Sequence, residues 1–199
     1  MEEEKNTKEQ SSPKKDESLF KKIKDNALEF LKFALIAIVI VLPIRMYIAQ
    51  PFIVSGLSMF PTFNDREYLI IDELSYNLGT PHRLDVAVFH YPNDAKKYFI
   101  KRIIGLPNET IVIQDGEVTI KNAEFPDGFV LKEEYINEKF STNGTYVMGK
   151  EDYFVMGDNR NYSSDSRAWG KVPRKLIVGR ALLRLLPVNH MSLLPGKIE

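Results

Sequence analysis

Hydrophobic and polar positions divide the chain into three stretches. Residues 1–26 are charge-dense and mixed in sign, with Ser11, Ser12 and Pro13 in the middle and Lys21, Lys22 and Lys24 near the end. So little apolar surface cannot offset the entropy of ordering, and a mobile tail is expected. From Ala27 to Ile48 the pattern is apolar apart from Glu29, Lys32 and Arg45. A helix crossing the hydrocarbon core needs roughly 20 mostly apolar residues. The unbroken part, Phe33 to Ile44, is shorter, but Lys32 and Arg45 flank it, and long cationic side chains reach toward headgroups. It lacks the polar stripe of a soluble core helix, and Pro43 is tolerated in a membrane span. The pattern predicts a transmembrane helix over 27–48. A cleaved secretory leader fits less well: the apolar run sits far from the N-terminus, and Ile48-Ala49-Gln50-Pro51 is a poor cleavage site. The lysines before the helix predict a cytoplasmic N-terminus, with everything after residue 50 on the outer side.

Beyond residue 50 the period changes to two. Phe52 to Val54, Tyr68 to Ile71, Val86 to Phe89, Tyr98 to Ile104, Tyr153 to Met156 and Ile177 to Leu186 are short apolar or alternating runs, most of them bounded by turn residues. Thr110 to Gln114, then Asp115-Gly116, then Glu117 to Lys121 reads as a hairpin, because Asp-Gly accepts the positive φ angles of a two-residue turn. No long helical period follows, and no internal repeat. The reading is a mainly β protein: one N-terminal membrane helix, then an antiparallel β domain over 51–199, with 122–150 as a less regular insert.

Composition narrows the function. Lys+Arg and Asp+Glu are both 27, so the formal net charge is zero, and no basic excess marks a nucleic-acid binder. Cysteine is absent, which excludes disulfide frameworks, thiolate metal sites and cysteine nucleophiles. Three histidines leave little material for a zinc site, and no metal or cofactor is expected.

Three segments carry candidate chemistry. In Ser55-Gly56-Leu57-Ser58-Met59-Phe60-Pro61-Thr62 a serine stands at a strand end between turn-forming neighbours, although solvated serines at such junctions are common. In Tyr98 to Pro107, Lys101 and Arg102 are adjacent in an apolar strand. Alternation sends them to opposite faces. With Arg102 in water, Lys101 lies among Phe99 and Ile103, where desolvation lowers an amine's pKa and makes it a base. A bent strand with both cations solvated is the ordinary alternative. Gly157 to Gly170 concentrates small polar groups, two arginines and two aspartates. It is either a hydrogen-bonded scaffold beside a site or a polar surface loop with local Asp/Arg pairs.

Taken in order behind an apolar N-terminal helix, these segments resemble the type I signal peptidases, membrane-anchored serine proteases that remove signal peptides from exported proteins. The matching boxes are Gly56 to Thr62, Arg83 to Phe89, Lys101 to Pro107, and Gly157-Asp158-Asn159-Arg160 through Ser163-Ser164-Asp165-Ser166-Arg167. The resemblance runs from the helix to about Pro187 and is nearer the single-anchor, Gram-positive form. It implies Ser58 as nucleophile and Lys101 as general base. Ser163 would hydrogen-bond the amine, Asp165 and Arg167 would brace the loop, and Asp158 and Arg160 would be structural. The Ser58 N–H would donate to the oxyanion. It implies preprotein signal peptides as substrates, cut after small residues at the first and third positions, and a lipid bilayer as the other partner. Val54, Met59, Phe99 and Ile100 are candidate pocket walls. The oligomeric state is not legible.

Three departures accompany the match. Gly56 stands where some members carry a second oxyanion hydroxyl, and Ser55 is expected on the wrong face to replace it. Leu84 stands at a usual glycine, and Asn108-Glu109 replaces glycine-aspartate; asparagine tolerates the left-handed conformation. Rival readings are a repressor-like self-cleaving Ser-Lys peptidase, a histidine hydrolase built on Ser58, His90 and Asp85, and a membrane-anchored β domain that binds peptides without catalysis.

Overall fold

A computed structural model describes residues 26–41, 49–136 and 138–198. The expected tail lies outside the described residues except for residue 26, as does the end of the expected membrane helix, 42–48. The chain divides into two units, 1–44 and 45–199.

In the first unit residues 26–41 form helix α1. Its apolar side chains face outward all around the axis, Leu28, Phe30, Phe33, Ile36 and Val39 among them. Among the described residues no helix is long and apolar enough to cross a membrane.

The second unit is mainly antiparallel β. Its strands are β1 (Ala49–Ile53), β2 (Tyr68–Asp72), β3 (Val86–Tyr91), β4 (Asp94–Gly105), β5 (Thr110–Gln114), β6 (Glu117–Lys121), β7 (Phe129–Val130), β8 (Gly144–Val147), β9 (Asp152–Met156), β10 (Val172–Pro173), β11 (Ile177–Leu186) and β12 (Ser192–Leu193). Two short helices interrupt them, α2 (Leu74–Leu78) and α3 (Ser166–Trp169). One sheet runs β1-β2-β11-β3-β4-β9-β10, with β12 on β11; the other runs β7-β6-β5-β8. The Asp-Gly hairpin forms with Gln114 opposite Glu117, and Asp115 and Gly116 take φ values of 50° and 85°. The stretch 122–150 is more than a loop, since it supplies β7 and β8 as the two edges of the second sheet.

The central strands are buried on both faces. Along β3, Val86 and Val88 enter one apolar cluster with Met59, Phe63 and Leu69; Ala87 and Phe89 enter another with Ile103 and Val155. Phe154 and Met156 of β9 join a third with Ile111 and Ile120, between the sheets' strands. Double coverage explains why these strands read as continuous apolar runs instead of clean alternation.

It also corrects one expectation. Arg102 does not point to water; its side chain is fully buried. With both faces of β4 covered from Lys101 to Gly105, alternation moves Arg102 from one interior environment to another. Its charge is met there by Asp158, with Nε–Oδ1 at 2.8 Å and Nη2–Oδ2 at 2.6 Å. Nη1 donates to the carbonyls of Leu84 and Gly196, and the guanidinium lies 4.1 Å from the Tyr135 ring centroid. A buried cation is tolerable only with such complete pairing.

Candidate active site

The loop after β1 carries Ser58, and β4 carries Lys101. Lys101 Nζ lies 2.6 Å from Ser58 Oγ and 3.0 Å from the Ile100 carbonyl oxygen. Lys101 is buried, at 4% exposure, and its ammonium has no carboxylate within ion-pair distance among the described residues. Burial pushes its pKa down to about 8, against a smaller opposing pull from Asp165 and Asp158. Desolvation therefore outweighs the nearby anions. An amine that is neutral in mildly alkaline water and already in contact with a hydroxyl can accept that hydroxyl's proton.

The polar loop after β9 holds the Ser58 segment in place. Asn159 clamps it twice: its N–H donates to the Ser58 carbonyl at 3.1 Å, and its Nδ2 donates to the Leu57 carbonyl at 3.0 Å. Gly157 permits the close approach, because a Cβ there would collide with the Ser163 side chain and the Ser58 carbonyl. Asp165 caps α3 by accepting from the Arg167 N–H, pairs with the Arg167 guanidinium at 2.8 Å, and accepts from the Gly157 N–H at 3.0 Å. Asp165 and Arg167 thus form an ion pair within the loop. Arg160 and Asp158 do not pair locally. The buried Arg160 guanidinium binds Glu133, whose Oε1 also accepts from Tyr135 Oη at 2.8 Å; Asp158 serves Arg102 and accepts from Thr62 Oγ1 at 2.5 Å.

Ser163 departs from expectation. Its Oγ is buried and makes no hydrogen bond, so it does not contact the amine in this conformation. The Gly56 N–H donates to Asp65 Oδ1 at 2.8 Å, with Gly56 at φ 88°. The histidine alternative does not assemble: Asp85 accepts from Tyr76 Oη, and His90 Nδ1 lies 2.6 Å from the Ala95 carbonyl oxygen. Among the described residues no cluster of metal-ligating side chains occurs.

Beside the pair lies a groove of about 450 Å³, walled by Val54, Ser55, Phe99 and Ile100 and reaching Ser58 and Lys101. Three of the four proposed wall residues line it. Met59 does not: at 1% exposure it sits in the core beneath, with Val54 and Phe63. Ser55 also lines the groove. The groove runs between the residues following β1, an edge strand, and the part of β4 before Lys101, which pairs only with β3.

The sequence reading did not find Asn159's clamp, Thr62, Glu133 or Tyr135. Asn159 stands within a box already singled out. Glu133 and Tyr135 carry no local signal, since their arginine partners are more than 20 residues away.

Comparison with known proteins fits this arrangement. Residues 27–186 match the family model described as signal peptidase, peptidase S26. A signal peptidase I of Leptolyngbya laminosa is 37% identical over 191 residues, covering 92% of this chain and 87% of that protein. Signal peptidase I T of Bacillus subtilis (strain 168) is 32% identical over 197 residues, covering 96% and 98%. A solved signal peptidase I from Enterococcus faecalis V583 is 30% identical, covers 51% of this chain and 96% of that one, and superposes with a TM-score of 0.44. The class is therefore that of the serine peptidases. Within it, the chain belongs to the signal peptidase family, peptidase S26.

Proposed function

We propose that this protein is a membrane-bound endopeptidase that removes signal peptides from exported preproteins, with Ser58 as nucleophile and Lys101 as its base. The observation that carries the reading is the 2.6 Å contact between a serine hydroxyl and a buried lysine amine. The neutral amine takes the Ser58 proton as Oγ attacks the scissile carbonyl. The ammonium then protonates the leaving amine, and the amine finally activates the water that hydrolyses the acyl-enzyme. The Ser58 N–H donates to the oxyanion. Asp165 and Arg167 act as braces, and Ser163 orients the amine after a side-chain rotation that relieves its unpartnered hydroxyl.

The substrate lies extended between the two open strand edges, where backbone groups await partners. Val54, Phe99 and Ile100 then contact alternate side chains and favour small ones. The apolar helix beginning at 26 anchors the enzyme in the bilayer with its N-terminus cytoplasmic and its catalytic domain outside. Sharing a membrane with the substrate's own apolar segment raises the effective concentration of the cut site.

The test is cleavage of a preprotein with the site read by mass spectrometry. Ser58→Ala and Lys101→Ala each lose activity by about 10³-fold or more, and His90→Ala keeps it. Peptide binding without turnover by the intact protein would instead mean a non-catalytic binding domain.

A further inference from the structure

Two grooves meet at the Ser58 loop. Val54, Ser55 and Ser58 line the first, together with Ser164. Leu57 and Phe60 line a second, of about 290 Å³, together with Asn159 and Tyr162. The loops after β1 and β9 thus contribute residues to each groove, and Ser58, on the wall of the first, is the chain neighbour of Leu57 on the wall of the second. Leu57, Phe60 and Tyr162 are 57%, 47% and 76% exposed, so the second groove offers an apolar surface directly beside the nucleophile.

Its charge is one-sided. The Arg160 guanidinium is buried against Glu133, and the Asp158 carboxylate is buried against Arg102. Neither charge faces outward. Glu138 also lines the groove, exposed, and accepts only from Asn161 Nδ2 at 3.3 Å; among the described residues it has no cationic partner.

We propose that this second groove receives the first residues of the chain released after the cut, and that Glu138 sets a preference there. The assignment rests on Ser58 being the nucleophile and on the first groove holding the residues before the cut. An extended peptide bound on that side must leave across the Ser58 loop, and the Leu57–Phe60–Tyr162 surface lies where it emerges. The occupant is an extended peptide segment, apolar at one of its first two positions and not acidic there. A carboxylate beside Glu138 is repelled, whereas an ammonium is drawn to it. Exposed charge pairs of this kind shift a rate by about two- to fivefold, and salt screens them.

The experiment uses full-length enzyme in detergent and peptides identical up to the cut. At the second position after the cut they carry Lys, Asp, Leu or Gly. The wild type cleaves the Lys peptide about two- to fivefold faster than the Asp peptide at low salt. Glu138→Lys reverses that ratio, and Tyr162→Ala narrows the Leu-over-Gly preference. Either ratio unmoved by its variant overturns the assignment. Ser58→Ala is run on the same peptides. Cleavage that persists in it overturns the dyad and this proposal together, whereas cleavage that vanishes while the ratios stay fixed overturns the groove alone.

Discussion

Lys101 is held in a state that opposes stability and suits the proposed chemistry. Its folded pKa, about 8, lies below the ordinary 10.5. The folded protein therefore binds fewer protons than the unfolded chain between those values, and stability from this group rises with pH across that window. Below about pH 8 the penalty is complete, at most about 3 kcal/mol. Lys101→Met should therefore be inactive yet more stable than the wild type at pH 7 by about 1–3 kcal/mol, with the advantage shrinking toward pH 10 in denaturant titrations. In the wild type, kcat/KM should rise about tenfold per pH unit below 8 and level off above it; a flat profile would exclude a lysine base. A second residue-scale prediction concerns Leu84, which takes φ 69° at a position where the family resemblance led us to expect glycine. Its side chain packs against the core cluster around Ile104 and Phe154. Alanine there loses the packing and keeps the strain, while glycine loses the packing and relieves about 1–2 kcal/mol. Thermal melts should therefore rank Leu84→Gly above Leu84→Ala, the reverse of the usual order. The hydroxyl–amine pair was legible only through the family resemblance, because a serine at a strand end and a cation inside an apolar strand each have an ordinary solvated alternative. Ser163's unpartnered hydroxyl was not, because rotamers answer to neighbours that the sequence does not order in space.

At the scale of elements, the loop after β9 is shaped by residues distant in sequence. Arg160 is pinned by Glu133, and Tyr135 stacks on Arg102, the residue beside Lys101. The segment 131–136, which reads as irregular, thus ties the second sheet's insert to β4 and to the loop after β9. Glu133→Gln leaves the Arg160 cation buried and unpaired, and unfolding by denaturant should show a loss of about 3–5 kcal/mol. Replacing Arg160 by Met in the same chain should recover part of it. If the single and double variants are equally unstable, the ion pair is not the cause. The hairpin of β5 and β6 was readable because its turn chemistry is local. β7 and β8 were not, since edge strands of two and four residues exist only where a neighbouring strand offers partners.

For the whole molecule, α1 stands out as a helix that has no polar residue from Phe33 to its described end at Val41, and such helices suit apolar surroundings. On the proposed anchoring, the protein should stay in the membrane pellet through alkaline carbonate extraction and leave it only with detergent. Release into the aqueous phase would refute the anchor. Hydropathy period and turn residues by themselves determined the division into an apolar N-terminal run and an antiparallel β domain, as well as the order along the chain of the strands of five or more residues, because these are properties of adjacent residues. Which strands neighbour one another, that both faces of β4 are covered from Lys101 on, that Arg102 is buried on Asp158, and that Lys101 meets Ser58 across 43 positions were decided by the tertiary structure. Solvent exclusion at Lys101, and hence the lowered pKa that leaves the amine neutral in mildly alkaline water, arises only when distant segments close over the same amine.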